Sequence, residues 1–431
     1  MADDFGKRFV RMCNNLQDPS LVARFQNLCG IKGTFPDRAP TEQSAERDRG
    51  LRKRAQGSGL GNGAAAGDAL NGMQPGDFTA EPEGAEGADE DTVRSKPLRR
   101  NSLTGDVGQE FLIHNKFLFY LFTFGTELGN EMFFIIFFPF LFWNVDALVS
   151  RRLIVVWAWN LFVGQSTKDM VRWSRPASPP VVKVEVFYNS EYSMPSTHAM
   201  TGTAIPFCLF MLTYGRWEYS FLFGLTVALS WSILVCVSRI YMGMHSVLEV
   251  ITGFLYTLLI LAVFQPLLEK IDTFYMMGDY APLVIVVSHV GFGLVAFSLD
   301  SWSTSRGDTA QALGTGAGAA LGTYVNYQLG LMADPALSSL PLAMPALSAG
   351  LVVRSVLRFF IGVAVILVTR MAMKAVTIPF LCQVCGLPTD DVRRARQHMK
   401  VELPYRYIVY TVVGFSCVCV SPLLFSLLNL A

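Results

Sequence analysis

Three short groups of residues combine side chains that could perform acid–base and anion chemistry. They run from Lys168 to Arg175, from Pro195 to His198 and from Ser238 to Glu249. Each group stands at the end of an apolar stretch, and two such stretches separate the second group from the third. Two crossings of a membrane return a chain to its starting face. We therefore expect all three groups to lie on one face.

The cations of these groups and the start of the following helix could together bind a phosphate group. Arginine offers a planar fork of donors that matches phosphate oxygens, and lysine adds a point charge. Ser196 or Thr197 would cap a helix whose first backbone N–H groups favour an anion. The predicted phosphate ligands are Lys168, Arg175, Ser196, Thr197 and Arg239.

His198 and His245 are two of only five histidines in the chain, and imidazole exchanges protons near neutral pH. Glu249 follows His245 by four residues, so on a helix the two share a face, where the carboxylate would orient the imidazole. We predict that His245 attacks phosphorus and that His198 protonates the leaving alkoxide. No cofactor is predicted. Zinc ligation is a weaker alternative because no third ligand has suitable spacing.

Each of these residues alone has a simpler explanation. The cations Lys168, Arg172 and Arg175 could mark a cytosolic helix end, and a Ser-Thr pair is an ordinary helix cap. A lone interfacial histidine or a lone Glu249 would more often make a plain packing contact. Because all of them fall on one face in three compact groups, the combination favours a catalytic site.

In these residues the sequence resembles the type 2 phosphatidic acid phosphatase superfamily, which includes the vanadium haloperoxidases. The family motifs Lys-x6-Arg-Pro, Pro-Ser-x-His and Ser-Arg-x5-His-x3-Asp correspond to segments 168–176, 195–198 and 238–249. The resemblance implies the same phosphate ligands, nucleophile and acid. Glu249 stands where the family has aspartate, and we expect Glu249→Asp to be neutral or helpful.

Beyond the motifs, the chain from about residue 110 onward resembles enzymes that hydrolyse sphingosine 1-phosphate and related sphingoid-base phosphates. Its long polar N-terminal tail favours their type 1 branch. The resemblance implies a metal-independent enzyme of the endoplasmic reticulum membrane with a lumenal site and a phosphorylated sphingoid-base lipid as substrate. Arg151, Arg152 and Arg216, at the opposite ends of the neighbouring spans, favour the same sidedness.

Alternative functions remain open. The spacing alone does not distinguish a sphingoid tail from glycerolipid or polyprenyl phosphates, or from glucose 6-phosphate. A transporter or scaffold could use the same polar groups only to hold an anionic lipid. A net charge of +1 gives no indication of nucleic-acid binding, and the sequence leaves the oligomeric state open.

The composition predicts that a bundle of membrane helices positions these groups. Of 431 residues, 52% are hydrophobic and 16% charged, against roughly 25% charged in globular proteins. We predict an all-α, polytopic transmembrane helical bundle with about eight to ten spans, broken in the first by Glu127, Asn130 and Glu131. The predicted spans are Phe117–Trp143, Leu153–Met170, Ala199–Tyr214, Tyr219–Val237, Val247–Leu267, Pro282–Leu299, Thr309–Met332, Leu351–Thr369 and Tyr405–Leu428, with Ala375–Leu387 ambiguous.

Residues 1–112 have a different composition and predict a cytosolic tail ahead of a membrane-embedded phosphatase domain at 113–431, whose catalytic core is about 153–267. The tail should contain a short amphipathic helix between Asp18 and Gly30, either on the membrane surface or packed on the body. The polar sequence that follows predicts disorder. Ser102, after two arginines, is a candidate phosphorylation site.

Overall fold

The computed structural model describes residues 2–35, 93–96, 110–185, 191–300, 305–332, 334–387 and 399–430. Most of these residues are helical. The helices are α1 Ala2–Gln17, α2 Pro19–Leu28, α3 Lys116–Glu127, α4 Glu131–Asn144, α5 Ala147–Val171, α6 Thr197–Thr213, α7 Phe221–Tyr241, α8 Val247–Met277, α9 Ala281–Leu299, α10 Ser305–Gln328, α11 Ala349–Val384, α12 Met399–Phe415 and α13 Ser421–Leu427. Three short strands, β1 Ile31–Gly33, β2 Val93–Ser95 and β3 Phe111–Ile113, form one antiparallel sheet with β3 in the middle.

The predicted multi-pass membrane bundle is confirmed. Six spans of the described chain are long and apolar enough to cross a membrane, and the bent pair α3–α4 makes a seventh. The predicted count of eight to ten spans also included α6 and α10, which do not pass this test: α6 has 17 residues, and α10 is rich in polar residues and glycine. The ambiguous segment 375–387 is not a separate span, because its residues through Val384 continue α11.

The first span is broken, as its polar residues predicted. α3 and α4 meet at a bend of 63°, where Asn130 caps α4 by accepting a hydrogen bond from the backbone N–H of Met132 at 3.3 Å. Gly129, in the break, leaves no room for a side chain beside Val235 and His198. The break therefore brings the polar start of α4 next to a predicted catalytic residue.

Helix α10 lies inside the bundle and is packed through glycine. A methyl group on Gly318 would lie 1.9 Å from the backbone oxygen of Thr411, and one on Gly314 would lie 2.6 Å from that of Tyr407. The backbones of α10 and α12 therefore touch directly, which is the role expected of glycines spaced four apart.

The predicted helix between Asp18 and Gly30 is present as α2 and packs on the body rather than floating on the membrane. The Asp18 side chain accepts from the Ser20 N–H at 2.8 Å, and Gly30 ends the segment with φ +82°. Gln26 is buried and donates to the backbone oxygens of Val182 at 2.7 Å and Tyr241 at 2.9 Å. Of the two predicted positions for this helix, on the membrane surface or packed on the body, the structure shows the second.

The tail contains more structure than its composition predicted. Strand β2, inside the segment expected to be disordered, pairs with β3, and the amphipathic helix α1 precedes α2. Three-residue strands leave almost no local pattern, because their stability depends on partners far away in sequence. Ser102 lies outside the described residues.

The expectation of a cytosolic tail and the expectation of a lumenal site cannot both be right. Gln26 of the tail is bonded to Val182 and Tyr241, which belong to the face that carries the three motifs. The start of the tail and the motifs therefore lie on the same side of the membrane.

Two of the arginines that suggested the sidedness form ion pairs with carboxylates. Arg151 is buried and donates to Asp272 at 2.7 Å, and Arg216 donates to Asp146 at 2.6 Å. The positive-inside tendency counts Lys and Arg near span ends and is little affected by acidic neighbours, so these pairings leave the predicted sidedness untested.

Candidate active site

The three motifs come together because four helix ends converge on one face. Lys168 lies in the last turn of α5, Ser196 caps the start of α6, Arg239 lies in the last turn of α7, and Glu249 lies in the first turn of α8. His245 stands in the short connection between α7 and α8. These five of the eight predicted positions thus belong to rigid helix ends or to a tight link between them.

That link turns at Gly243, which has φ +69°. A side chain there would place its first carbon 2.2 Å from the backbone oxygen of Val182. Only glycine fits both the left-handed backbone and this close approach. The turn sets the direction in which His245 leaves the backbone.

His245 is buried and held by Glu249. The Nδ1 atom of His245 lies 3.1 Å from Oε2 of Glu249, and the same oxygen accepts the backbone N–H of Ser246 at 3.0 Å and the Ser193 hydroxyl. Because Nδ1 is engaged, Nε2 is the nitrogen that faces the cations, 3.5 Å from Nη1 of Arg175. The arrangement suits an Nε2 nucleophile.

Burial lowers the pKa of His245 well below its usual range, and the neighbouring charges on Arg175, Arg239 and Lys168 lower it further. The ring is therefore neutral at physiological pH. A neutral imidazole has the free electron pair that attack on phosphorus requires.

The predicted phosphate ligands surround this ring but are paired with carboxylates of the 177–194 loop. Glu191 accepts from both Lys168 and Arg175, the latter at 3.0 Å, and Glu185 accepts from Arg239 at 3.0 Å. Burial opposes ionisation of Glu191, but Lys168 and Arg175 outweigh it and hold its pKa below the usual value. The loop thus keeps the cations in place near His245.

At the start of α6, Ser196 and Thr197 differ in what they do. The Ser196 hydroxyl accepts the Ala199 N–H at 3.4 Å, as in an ordinary cap, whereas the Thr197 hydroxyl accepts from Lys168 at 3.0 Å. His198 is half-buried and lines a cavity that opens beside the motifs. Its charge is also among those that lower the pKa of His245.

Four residues of the site were not predicted from the sequence, and all lie in the 177–194 loop: Lys183, Glu185, Glu191 and Ser193. Lys183 donates to the Gly243 backbone oxygen at 2.7 Å, and burial, with Arg175 adding to it, lowers its pKa to about 7. The signal available was the unusual presence of charged residues in the apolar VVKVEVF run. Nothing in its spacing tied them to the motifs.

Comparison with known proteins adds a family to this geometry. The PAP2 superfamily model matches residues 150–271. Sphingosine-1-phosphate phosphatase 1 of Rattus norvegicus is 51% identical over 99% of each chain, and sphingosine-1-phosphate phosphatase 2 of Homo sapiens is 35% identical over 98% of this chain and 100% of its own.

The chain belongs to the sphingosine-1-phosphate phosphatase family. The higher identity to the type 1 relatives agrees with the branch that the long tail favoured. Membership makes the chain a phosphatase of phosphate monoesters embedded in a membrane. A more distant relative, a dihydrosphingosine 1-phosphate phosphatase of Schizosaccharomyces pombe, is 29% identical over 35% of this chain and 38% of its own. No solved structure matches the chain.

Proposed function

We propose that the chain hydrolyses sphingosine 1-phosphate and related sphingoid-base phosphates to the free base and phosphate through a phosphohistidine. The observation that carries the proposal is the engagement of His245 Nδ1 by Glu249, with Nε2 directed at the cations. The names of the similar proteins support the substrate class.

In the first step, Nε2 of His245 forms a bond to phosphorus as the ester P–O bond breaks. The equatorial oxygens, where negative charge collects, are bound by Lys168, Arg175 and Arg239 together with the first N–H groups of α6. His198 gives its proton to the departing alkoxide of the lipid. Glu249 stabilises the positive ring that forms.

In the second step, water attacks the phosphohistidine and His198 takes its proton. The N–P bond breaks, inorganic phosphate leaves, and both histidines return to their starting states. No step requires a metal ion. Since the cations are paired with Glu185 and Glu191, a phosphate dianion competes with these carboxylates as it enters.

We propose that the enzyme acts in the endoplasmic reticulum membrane with its site on the lumenal side. The position of the motifs at span ends lies at the depth of lipid headgroups, so a phosphate on a membrane-held tail can enter without leaving the bilayer. With a lumenal site, α2 is lumenal as well. The proposed catalytic core is about 153–267, within a membrane-embedded domain at 113–431.

Trapping of labelled phosphate on His245 tests the mechanism. Purified chain is mixed with ³²P-labelled sphingosine 1-phosphate and quenched under alkaline conditions, which preserve phosphohistidine. We expect label on the peptide containing His245, both in the parent chain and in His198→Ala. Absence of label in both chains, with turnover intact, would contradict the covalent route.

Loss of turnover in His245→Ala and His198→Ala separates an enzyme from a lipid-binding scaffold. We expect decreases of at least about 10²–10⁴-fold, the range for acid–base help alone. Activity of the parent should persist in excess EDTA. Full turnover in both folded variants, or none in the parent, would favour the binding alternative, and release of phosphate from a substrate panel distinguishes sphingoid from glycerolipid preference.

A further inference from the structure

A cavity opens next to His198 and extends into the bundle. The cavity is small, with a volume of about 30 Å³. One side is apolar, formed by Phe134, Trp157 and Leu161, and the other is acidic or polar. The polar lining residues are Asn130, Glu131, Gln165, Glu191, Thr197, His198, Thr201 and Asp308.

On the polar side, Glu131, Asp308 and Gln165 offer hydrogen-bond acceptors to the cavity. Glu131 accepts one bond, from Gln311 at 3.0 Å, through a single carboxylate oxygen. Asp308 is 3.4 Å from Arg406, a long contact for an ion pair between half-buried groups. The carboxylates thus retain acceptor capacity beyond their protein partners.

The side chain of Gln165 indicates independently that a ligand binds in this cavity. Its side chain is 3% exposed, and its Oε1 atom has no hydrogen-bond partner among the residues that the structure describes. A buried acceptor without a partner is costly, so a donor from a ligand is expected there. The indole N–H of Trp157, on the same cavity, is also unpartnered in the described chain.

A bound sphingoid-base phosphate would bring its positively charged amine close to His198 and this cavity. In such a lipid the leaving oxygen and the amine sit on adjacent carbons, so the ammonium follows within a few ångströms of the atom that His198 protonates. An ammonium has three N–H donors and no acceptor. A cavity beside His198 with several acceptors and an apolar wall matches an ammonium followed by a hydrocarbon chain.

We propose that Glu131, with Asp308 and the Oε1 atom of Gln165, binds the ammonium of the substrate and sets the preference for sphingoid-base phosphates over lipid phosphates without an amine. The assignment rests on the proposed function. It differs from the phosphate pocket, whose ligands recognise a group common to all these lipids. Glu131 binds substrate remote from the reacting phosphorus, so it determines specificity rather than the chemical step.

The test compares two substrates that differ at the amine, which is charged in one and an amide in the other. The full chain, reconstituted in mixed micelles, is given sphingosine 1-phosphate and its N-acetyl derivative, whose amide is neutral. We divide kcat/KM for sphingosine 1-phosphate by kcat/KM for the N-acetyl derivative. We expect this ratio to fall about tenfold or more in Glu131→Gln and to fall also in Asp308→Asn. A ratio is insensitive to a partial loss of folded enzyme, because both substrates meet the same population.

Glu127→Gln is the matched control, since Glu127 lies across the same helix break but does not line the cavity. Its ratio should equal that of the parent. An unchanged ratio in Glu131→Gln and Asp308→Asn, or an equal fall in Glu127→Gln, overturns the inference while leaving the phosphatase function intact. A parent chain that hydrolyses neither substrate overturns both.

Discussion

At the scale of single residues, one carboxylate oxygen organises the candidate nucleophile. Oε2 of Glu249 accepts from His245, Ser193 and the Ser246 backbone at once. The acidic side chain also closes a capping box with Ser246 at the start of α8. Orientation of the imidazole is therefore coupled to the start of a membrane helix, which is more rigid than a loop.

Replacing Glu249 by Gln should reduce kcat by about 10²–10⁴-fold, since an amide neither stabilises the cationic ring nor fixes its tautomer; the loss for the analogous serine-protease change is near 10⁴. Glu249→Asp keeps the charge and should be neutral or helpful. Steady-state kinetics on folded protein measure both. Equal, large losses in the two variants would mean that the length of the side chain, not its charge, matters.

The pKa of Lys183, lowered to about 7, predicts a pH-dependent affinity for anions. Below pH 7 this ammonium is charged, and as pH rises through 7 the charge is lost. Competitive inhibition by sulfate, which does not titrate in this range, should weaken between pH 6 and 8. In Lys183→Gln the change with pH should be smaller.

Lys32→Gln provides the comparison for that experiment, because Lys32 lies in strand β1 on the same face but is exposed. Its pH dependence should match that of the parent. If Lys183→Gln retains the full dependence, another group is responsible for it, and Lys183 does not contribute charge to the pocket.

Single-residue chemistry could be predicted only where a spacing encodes it. The separation of four residues predicted a contact between His245 and Glu249, and the structure shows that contact, although His245 lies just before the cap of α8 and not on the helix. Glu191 gave no such signal, because its contact with Lys168 spans 23 residues and depends on how the intervening loop folds. The motifs thus located the cations, while their carboxylate partners required the tertiary structure.

At the scale of elements, the contact between α10 and α12 should be sensitive to one methyl group. Gly318→Ala would place a carbon 1.9 Å from a backbone oxygen, so the helices must separate, and overpacking costs about 1–3 kcal/mol. Thermal unfolding in detergent should show the loss of stability. Gly291→Ala, in α9 with no described atom within 4 Å, should be neutral or slightly stabilising.

A stability of Gly318→Ala equal to that of Gly291→Ala would show that α10 and α12 can separate without cost. The glycine spacing that predicts this contact is a local pattern, like the polar residues that break the first span. The sheet of β1, β2 and β3 has no local pattern. Its pairing joins residues near 31 to residues near 112, and no periodicity in either segment reveals the other.

At the scale of the whole molecule, the fold predicts which positions share a compartment. Leu28, on α2, and Ala177, in the motif loop, are exposed on the same face, whereas Leu347, exposed just before α11, is on the other. With cysteine at each position in turn, a membrane-impermeant maleimide should label Leu347→Cys in sealed microsomes, which expose the cytosolic face. The other two should require permeabilisation.

The parent chain, with its eight cysteines, gives the background for that labelling. Opposite behaviour of Leu28→Cys and Ala177→Cys would contradict the fold. Labelling of both without permeabilisation would leave the fold intact and make the site cytosolic. Strands β2 and β3, which flank Ser102 in sequence, belong to the same face, so a cytosolic kinase at Ser102 and a lumenal site are incompatible expectations.

The enclosure of α10 has a consequence for how the protein is made. This helix carries Asn, Gln and Thr side chains and several glycines, and it is covered by α12, which is synthesised later. Until then, the translocon holds a segment poorly suited to lipid. A nascent chain stopped before residue 399 should therefore be recognised as misassembled and degraded, although every predicted catalytic residue has already been synthesised.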